Sequence, residues 1–436
     1  MDEQLRKPED EQNTNQDDSY SFMNETVKRR PFPVGKYLLR AIEIIASACL
    51  FGLVAGFVFV HVTGRNDQPV TITSDEEPVS QQTAADTESA AAAAESVTPT
   101  PVPQVMTAEE EQQQILDHYE QQNKAVYAVA RSAMQSVVGV TGYSDATSWL
   151  SGNDPTSSSV SGLLVASTDS SVLVLVDYRS LSSAATLMVT FADGTSCNGT
   201  LIREDPTTEL AVLAVPTSSL SASTLSSCTA ASLGNSYNVT AGDGVIAIGS
   251  PMGYSNSVAY GEITSTDNLV SVTDGEFSLL TTDMQGSTSG TGVLVNLDGK
   301  VVGFVMQKYA ASGTSTVTGI AISYLKLLIQ NLSNNEAISY MGIRGQDVSA
   351  SLSGSTGVPE GVYVNSVDAG SPALAAGLAA GDVITDMDGA NITTMKTLHN
   401  RLANLKPGDE VSVTVRRKGA DGYKKFEFTI TLGELK

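Results

Sequence analysis

Histidine is almost missing from this chain of 436 residues, which has three, His61, His118 and His399. None falls between Val126 and Leu332, so the long middle of the chain holds no imidazole to take and return a proton near neutral pH. Cysteine is as scarce. Cys49, Cys197 and Cys228 show no metal-ligand spacing and have no histidine pair beside them, so neither a metal site nor a cofactor is expected. Cys49 lies in an apolar run, while Cys197 and Cys228 form one disulfide or stay two isolated thiols, which spacing does not decide. Basic residues number 25 against 48 acidic ones, and the formal net charge of −23 argues against a nucleic-acid partner. An acidic surface of this kind keeps a protein dissolved outside a membrane.

The length and a 41% hydrophobic content suffice for two folded domains plus tails. Residues 1–40 are polar and mixed in charge, and read as a cytoplasmic tail. Lys28, Arg29, Arg30, Lys36 and Arg40 precede an apolar run over residues 41–63. Roughly 20 apolar residues span a bilayer as a helix, and the basic flank predicts a cytoplasmic N-terminus. A cleaved signal peptide is the competing reading. The long leading region and the lack of a small-x-small cleavage site disfavour it. A single-pass cell-membrane anchor with the bulk of the chain outside is expected. Residues 64–106 turn to Thr, Ser, Ala, Pro and acids, with Ala90 to Ala94 and Thr98-Pro-Thr-Pro-Val-Pro103, and read as a stalk.

Thr107-Ala-Glu-Glu-Glu resembles a capped helix start with acids in its first turn. Ile115, Tyr119 and Val126 would line one face of that helix, and His118 reads as a solvated or packing residue. Beyond it come short β-branched runs separated by Gly, Asp and Ser: Ser136-Val-Val-Gly-Val140, Gly162-Leu-Leu-Val165, Val172-Leu-Val-Leu-Val176 and Gly244-Val-Ile-Ala-Ile248. Many short strands at turn-punctuated intervals predict a mainly β barrel or sandwich.

Several segments in order resemble the HtrA (Deg) family of trypsin-like serine proteases. Ser161-Gly-Leu-Leu-Val165 resembles its GSGVI turn. Asp205-Pro-Thr-Thr-Glu-Leu-Ala-Val-Leu213 resembles the DPxTDLAVL segment that brings in the triad aspartate. Leu233-Gly-Asn-Ser, the run from Gly242 to Pro251 and Thr282-Asp283 resemble LGDS, GDWVLAIGNP and TDA. The resemblance implies a double β-barrel, here with the preceding helix over residues 107–332. It also places the catalytic positions, and these have changed. The family's nucleophile segment GNSGGPLVN has its serine four residues before the Leu of LVN; counted back from Leu294, that position is Gly290. Ser289 takes the role only with one residue inserted before Leu294. The histidine position falls on Arg179, a permanent cation that cannot be a general base, and the aspartate position on Glu209. The Gly and Pro after the serine become Thr291 and Val293, which alters the backbone expected to bind an oxyanion. Arg179 and Glu209 are expected to pair and fill the vacated site. A Ser-Lys dyad would need Lys300 or Lys308 beside Ser289.

Residues 337–436 resemble a PDZ domain of the same family. Tyr340-Met-Gly-Ile343 matches the YLGI loop whose amides hold a peptide's C-terminal carboxylate, and Gly370-Ser-Pro-Ala-Leu-Ala-Ala-Gly-Leu-Ala-Ala-Gly-Asp-Val-Ile384 matches GSPAxxAGLxxGDVI. The run from Thr394 to Leu405 reads as a helix with Leu398, Leu402 and Leu405 on one face. An extended peptide would add to a sheet edge there, with Tyr340, Met341, Gly342, Ile343 and Leu398 around its carboxylate and last side chain. Ordinary core packing is the bland alternative for Met341 and Ile343, and His399 points at the rim or into solvent.

Three functions follow from the resemblance. The first is a membrane-anchored pseudoprotease whose PDZ domain binds peptides or C-termini of unfolded or envelope proteins, in quality control or scaffolding. The second is an active endopeptidase using Ser289. The third is a structural assembly protein, since HtrA-like modules commonly trimerise, as homotrimers or with an active relative, and linked sites gain avidity.

Overall fold

Some strands of the middle region, residues 172–176 and Val301–Met306 among them, are apolar at nearly every position rather than at alternate ones, because both of their faces are covered. The computed structural model describes residues 69–73, 108–144 and 158–435. The expected cytoplasmic tail and the membrane segment over residues 41–63 lie outside them. No helix among the described residues is long and apolar enough to cross a membrane.

Helix α1 (Ala108–Ala133) opens the folded region with Glu109, Glu110 and Glu111 in its first turn, where they meet the positive end of the helix dipole. Of the face expected to pack, only Val126 is buried, together with Ala130; Ile115 and Tyr119 are exposed, as is His118. Strands β1 (Val137–Tyr143), β2 (Ser158–Ser167), β3 (Ser171–Asp177), β4 (Thr186–Thr190), β5 (Ser196–Asp205) and β6 (Leu210–Pro216) close a barrel in the order β1-β2-β3-β6-β5-β4. A short helix α2 (Ala222–Ser227) follows. Strands β7 (Gly244–Ser250), β8 (Ser257–Val272), β9 (Gly275–Gln285), β10 (Thr291–Asn296), β11 (Val301–Met306) and β12 (Thr316–Ala321) close a second barrel, β10-β11-β12-β9-β8-β7.

Successive side chains of a strand point to opposite faces, so one strand serves two cores. In β3, Val172, Val174 and Val176 fill the first barrel, whereas Leu173 and Leu175 face a seam shared with Ile246, Ile248, Val293, Val295 and Phe304 of the second. In β10, Leu294 points into its own barrel and its neighbours Val293 and Val295 into the seam. Helix α3 (Ile322–Ser333) closes that seam with Ile322, Leu325, Leu328, Ile329 and Leu332. Cys197 and Cys228 pack beside the first core and are both free thiols.

Part of the expected stalk is held. The main chain of Val70 exchanges two bonds with the Asn334 side chain, at 2.8 and 2.9 Å, and Ile72 N–H donates to Gln330 Oε1 at 2.9 Å. The two amide side chains at the C-terminal end of α3 thus grip this segment as a neighbouring strand would.

The C-terminal module contains β13 (Ser339–Tyr340), β14 (Ile343–Val348), α4 (Ala350–Thr356), β15 (Gly361–Val367), α5 (Pro372–Ala376), β16 (Asp382–Met387), β17 (Ala390–Asn391), α6 (Met395–Ala403), β18 (Glu410–Gly419), β19 (Gly422–Thr431) and β20 (Gly433–Glu434). Its sheet runs β14-β15-β16-β18-β19, with β17 paired to β16, and β13 pairs with β20. Helix α6 is capped by Thr394 and buries Met395, Leu398 and Leu402; Leu405 lies beyond its end. The Gly-Asp of the sequence motif has a structural task. Asp382, buried, accepts Ala379 N–H at 2.9 Å and forms a two-pronged pair with Arg417 at 2.6 and 2.7 Å.

Phe304 is among the largest fully buried side chains and stands where β11 meets the seam. Phe304→Ala is expected to lower unfolding stability by about 3–5 kcal/mol, read from the midpoint of denaturant unfolding. A loss below about 1 kcal/mol would contradict the shared seam.

Candidate functional site

The segment Asp205-Pro-Thr-Thr-Glu209 is shaped by its first residue. The Asp205 carboxylate accepts Thr207 N–H at 3.1 Å, Thr208 N–H at 3.0 Å and the Thr208 hydroxyl at 2.5 Å, and Asp205 O accepts Glu209 N–H at 2.7 Å. This tight turn leaves Glu209 in the left-handed region, φ 61°, a conformation that costs a non-glycine residue about 1–3 kcal/mol. Tyr178 N–H donates to Glu209 O at 2.8 Å, which ties the turn to the end of β3. The family's histidine and aspartate positions are therefore neighbours, as the resemblance implies.

Their expected ion pair is not the one formed. Lys308 Nζ lies 2.6 Å from Glu209 Oε2 and 2.7 Å from Thr208 O, and its side chain is only 15% exposed. Arg179 is exposed, and its main-chain N–H donates to Asp177 Oδ1 at 3.2 Å. Lysine wins because it enters from the 3₁₀ turn Gln307–Tyr309 after β11, on the buried side of the turn. Burial pushes the Asp177 carboxyl up, and the nearby Arg179 and Lys308 charges offset part of that rise. Burial also lifts the Tyr309 phenol to about 12, helped by Asp205, Glu209 and Asp177. The end of β3, the turn before β6 and the turn after β11 thus bring Asp177, Arg179, Glu209 and Lys308 into one cluster of charges.

The loop before β10 is closed on itself. Ser287 N–H donates to Pro251 O at 2.9 Å, Ser289 N–H to Ser287 Oγ at 3.2 Å and Gly290 N–H to Ser287 O at 2.8 Å. Gln307 Nε2 donates to Ser287 O at 3.0 Å. Three amides that could meet an oxyanion are thus spent within the loop. The exposed Ser289 hydroxyl meets that of Ser287, 3.0 Å away. Gly290 cannot hold a side chain, because a Cβ there would run into the Pro251 carbonyl oxygen and the Ser287 carbonyl oxygen. Thr291 is turned inward and accepts Ser161 N–H at 2.8 Å. Lys300 ends the β10–β11 turn, whereas Ser289 precedes β10 at its other end. Six strand residues, about 20 Å, keep Lys300 from the serine, and Lys308 is held by Glu209.

The C-terminal module departs from expectation more sharply. The amides of the Tyr340-Met-Gly-Ile343 loop converge as expected, but on a side chain of the same chain. Met341 N–H donates to Asp274 Oδ2 at 2.7 Å, Gly342 N–H to both oxygens at 2.9 Å and Ile343 N–H to Oδ1 at 2.9 Å. Asp274 sits in the β8–β9 turn of the second barrel, φ 57°. Gly342 is required here, φ 89°, since a Cβ would strike Ser371 and the Tyr340 ring. Burial lifts the Asp274 carboxyl to about 6, outweighing the three amides, and Asp368 adds to the rise. At pH 7 it is therefore mostly the carboxylate. Tyr340 donates its hydroxyl to Asp368 Oδ2 at 3.3 Å rather than facing a ligand. Met341, Ile343 and Leu398 are fully buried members of the module's own core and do not line an open groove. His399 faces neither rim nor solvent: its Nδ1 is 3.1 Å from Asp274 O, and its ring meets Phe277 edge-on at 5.7 Å. Burial pushes this imidazole down, so it is neutral at pH 7.

Sequence reading missed Asp274 because Asp-Gly between two β-branched runs signals only a turn. Residues 160–304 match a trypsin-like peptidase domain and residues 339–427 a PDZ domain. The Do-like serine protease HtrA of Lactobacillus helveticus is 27% identical over 412 residues, 87% of this chain and 93% of its own. That of Bacillus subtilis (strain 168) is 30% identical over 341 residues, 73% of each chain. The chain belongs to the HtrA family. Among solved structures, the HtrA-type protease AlgW with tripeptide superposes with a TM-score of 0.52 at 25% identity, over 71% of this chain and 97% of its own. Within this HtrA chain the family's double barrel and PDZ sheet are in place, while the side chains at the catalytic positions are those described above.

Gly290→Ser, the simplest restoration of a nucleophile, is expected to lower stability by roughly 1–3 kcal/mol through overpacking against the Pro251 carbonyl. It is also expected to gain no labelling by a fluorophosphonate. A stable, labelled variant would show that the loop rearranges more easily than its bonds suggest.

Proposed function

We propose that this HtrA-family chain is a non-hydrolytic member that binds peptides or protein C-termini through its PDZ module. One observation carries the reading: the position matching the family's nucleophile is a glycine whose surroundings admit no side chain, and no imidazole stands in the barrels. Hydrolysis needs a nucleophile, a base that exchanges a proton near neutral pH and free donors for the oxyanion. Here the base position is the cation Arg179, Glu209 is bound to Lys308, and the Ser287, Ser289 and Gly290 amides are engaged. Barrels without a working triad retain at most weak residual catalysis.

Peptide binding is supported by the PDZ match and by relatives whose solved structures bear a decapeptide or a tripeptide. Location outside the cytoplasm is supported by relatives such as the DegP-like probable periplasmic endoprotease of Halomonas elongata, 30% identical over 268 residues. The apolar residues 41–63 would supply the membrane anchor. In this reading residues 64–106 link anchor to barrels, and residues 107–332 and 337–436 are the protease-like and PDZ domains. The second reading, an active endopeptidase, is favoured by the exposed Ser289 on an otherwise intact barrel and by relatives named as serine proteases.

The experiment is casein cleavage and fluorophosphonate labelling of the full chain, with Ser289→Ala as control. No cleavage and no serine-specific label are expected at any pH between 6 and 9. Cleavage that disappears in Ser289→Ala would overturn the proposal in favour of the second reading.

A further inference from the structure

A PDZ groove recognises an extended peptide by three things: amides for its carboxylate, a strand edge for its backbone and a helix opposite. In this chain each is already met from within. Both Asp274 oxygens are bound, through four contacts of 2.7–2.9 Å to Met341, Gly342 and Ile343. Asp274 N–H donates to Ile343 O at 2.8 Å, and Ser271 Oγ to Gly345 O at 3.3 Å, so the end of β8 lies along the edge of β14. From the helix side, His399 reaches the Asp274 carbonyl and Phe277, and Gly275 is needed because a Cβ there would lie 2.8 Å from His399 Nδ1. Thr273 Oγ1 adds a bond to Asp368 Oδ2 at 3.2 Å. The cavity remaining between the hairpin and α6 is about 40 Å³, room for a few waters and not for a peptide strand.

The geometry points to Asp274 as a built-in ligand: the β8–β9 turn occupies the PDZ carboxylate loop as a surrogate C-terminus, and a peptide with a free C-terminal carboxylate binds by displacing it. The inference rests on the PDZ module being a receptor for such peptides. The choice of residue supports it. A turn position in the left-handed region is served best by glycine, yet it holds the one acidic side chain that reaches three amides at once. A buried carboxylate is tolerated only where donors compensate its lost hydration. A tethered ligand acts at an effective concentration in the millimolar range. An outside peptide then sees the open loop only for the fraction of time the hairpin is away, and its apparent affinity falls by that fraction.

The test uses the full chain, Asp274→Gly and Asp274→Asn; both residues tolerate the left-handed backbone, so neither variant depends on a strained fold. Two quantities are read. The first is hydrogen exchange of the Met341, Gly342 and Ile343 amides. The second is retention, on immobilised protein, of a random decapeptide pool with free carboxyl termini against the same pool amidated. Expected are exchange at least tenfold faster in both variants, and at least tenfold more free-carboxyl peptide retained by them than by the native chain, with the amidated pool unaffected. Unchanged exchange in both variants, or measurable and equal retention of the free-carboxyl pool by native and variant chains, would overturn the proposal. Faster exchange without retention of either pool would support the internal ligand and sink the receptor reading instead.

Discussion

A carboxylate loses several kcal/mol of hydration when it is buried, and the loss is tolerable only where donors are already fixed in place. Asp274 meets that demand with three consecutive main-chain amides of the other module. The loop has the converse problem. Three N–H groups pointing into one buried spot need an anion, and each left unmet costs about 1–3 kcal/mol. The contact therefore solves two deficits at once, and it fixes where the second barrel meets the PDZ sheet. Thr273 with Asp368, Ser271 with Gly345 and His399 with the Asp274 carbonyl add contacts of 3.1–3.3 Å around the carboxylate.

The same rule governs the contact between Glu209 and Lys308. Glu209 is displayed on a strained turn and Lys308 on a 3₁₀ turn nearly a hundred residues later, and the ammonium is largely covered once the barrels pack. Their pairing at 2.6 Å satisfies both, with Thr208 O taking a second ammonium proton. An active triad needs the opposite condition, groups poised to change charge. The Glu209–Lys308 contact is the first condition, in which each charge is matched to a partner.

What the sequence made legible was whatever is local or periodic. The run Val172-Leu-Val-Leu-Val176 reads as a short strand, and in the fold it feeds two cores. The Gly-Ser-Pro run and Gly381-Asp382 announced the PDZ module. The failures are all pairings between distant residues. Glu209 was assigned to Arg179, thirty residues away and adjacent in space, because the approach of Lys308 depends on how β11 ends against the first barrel. Met341, Ile343 and Leu398 were given to a ligand, but their side chains fill the module's core and only the main chain faces the groove. Asp274 lies 67 residues before Met341 and reads as part of a turn. Nothing in a turn's composition says which carboxylate will find amides elsewhere.

Strand β9 begins immediately after Asp274 and ends at Gln285, where the nucleophile loop starts. One strand thus links the PDZ plug to the loop that would carry catalysis. Such a connection transmits a signal only if its far end has two arrangements to choose between. The far end here has one well-bonded arrangement: Gly286 N–H goes to Ser315 O, Ser287 N–H to Pro251 O, and Gly290 N–H to Ser287 O. A loop with its donors spent gains nothing from movement at the other end of the strand. The consequence runs the other way. Under the non-hydrolytic reading there is no catalytic geometry to preserve, so the β8–β9 turn is free of the demand that it report to an active site, and its carboxylate can serve the PDZ loop alone. In that reading the protease fold is the rigid element that presents Asp274. The PDZ module is then the part whose occupancy can change.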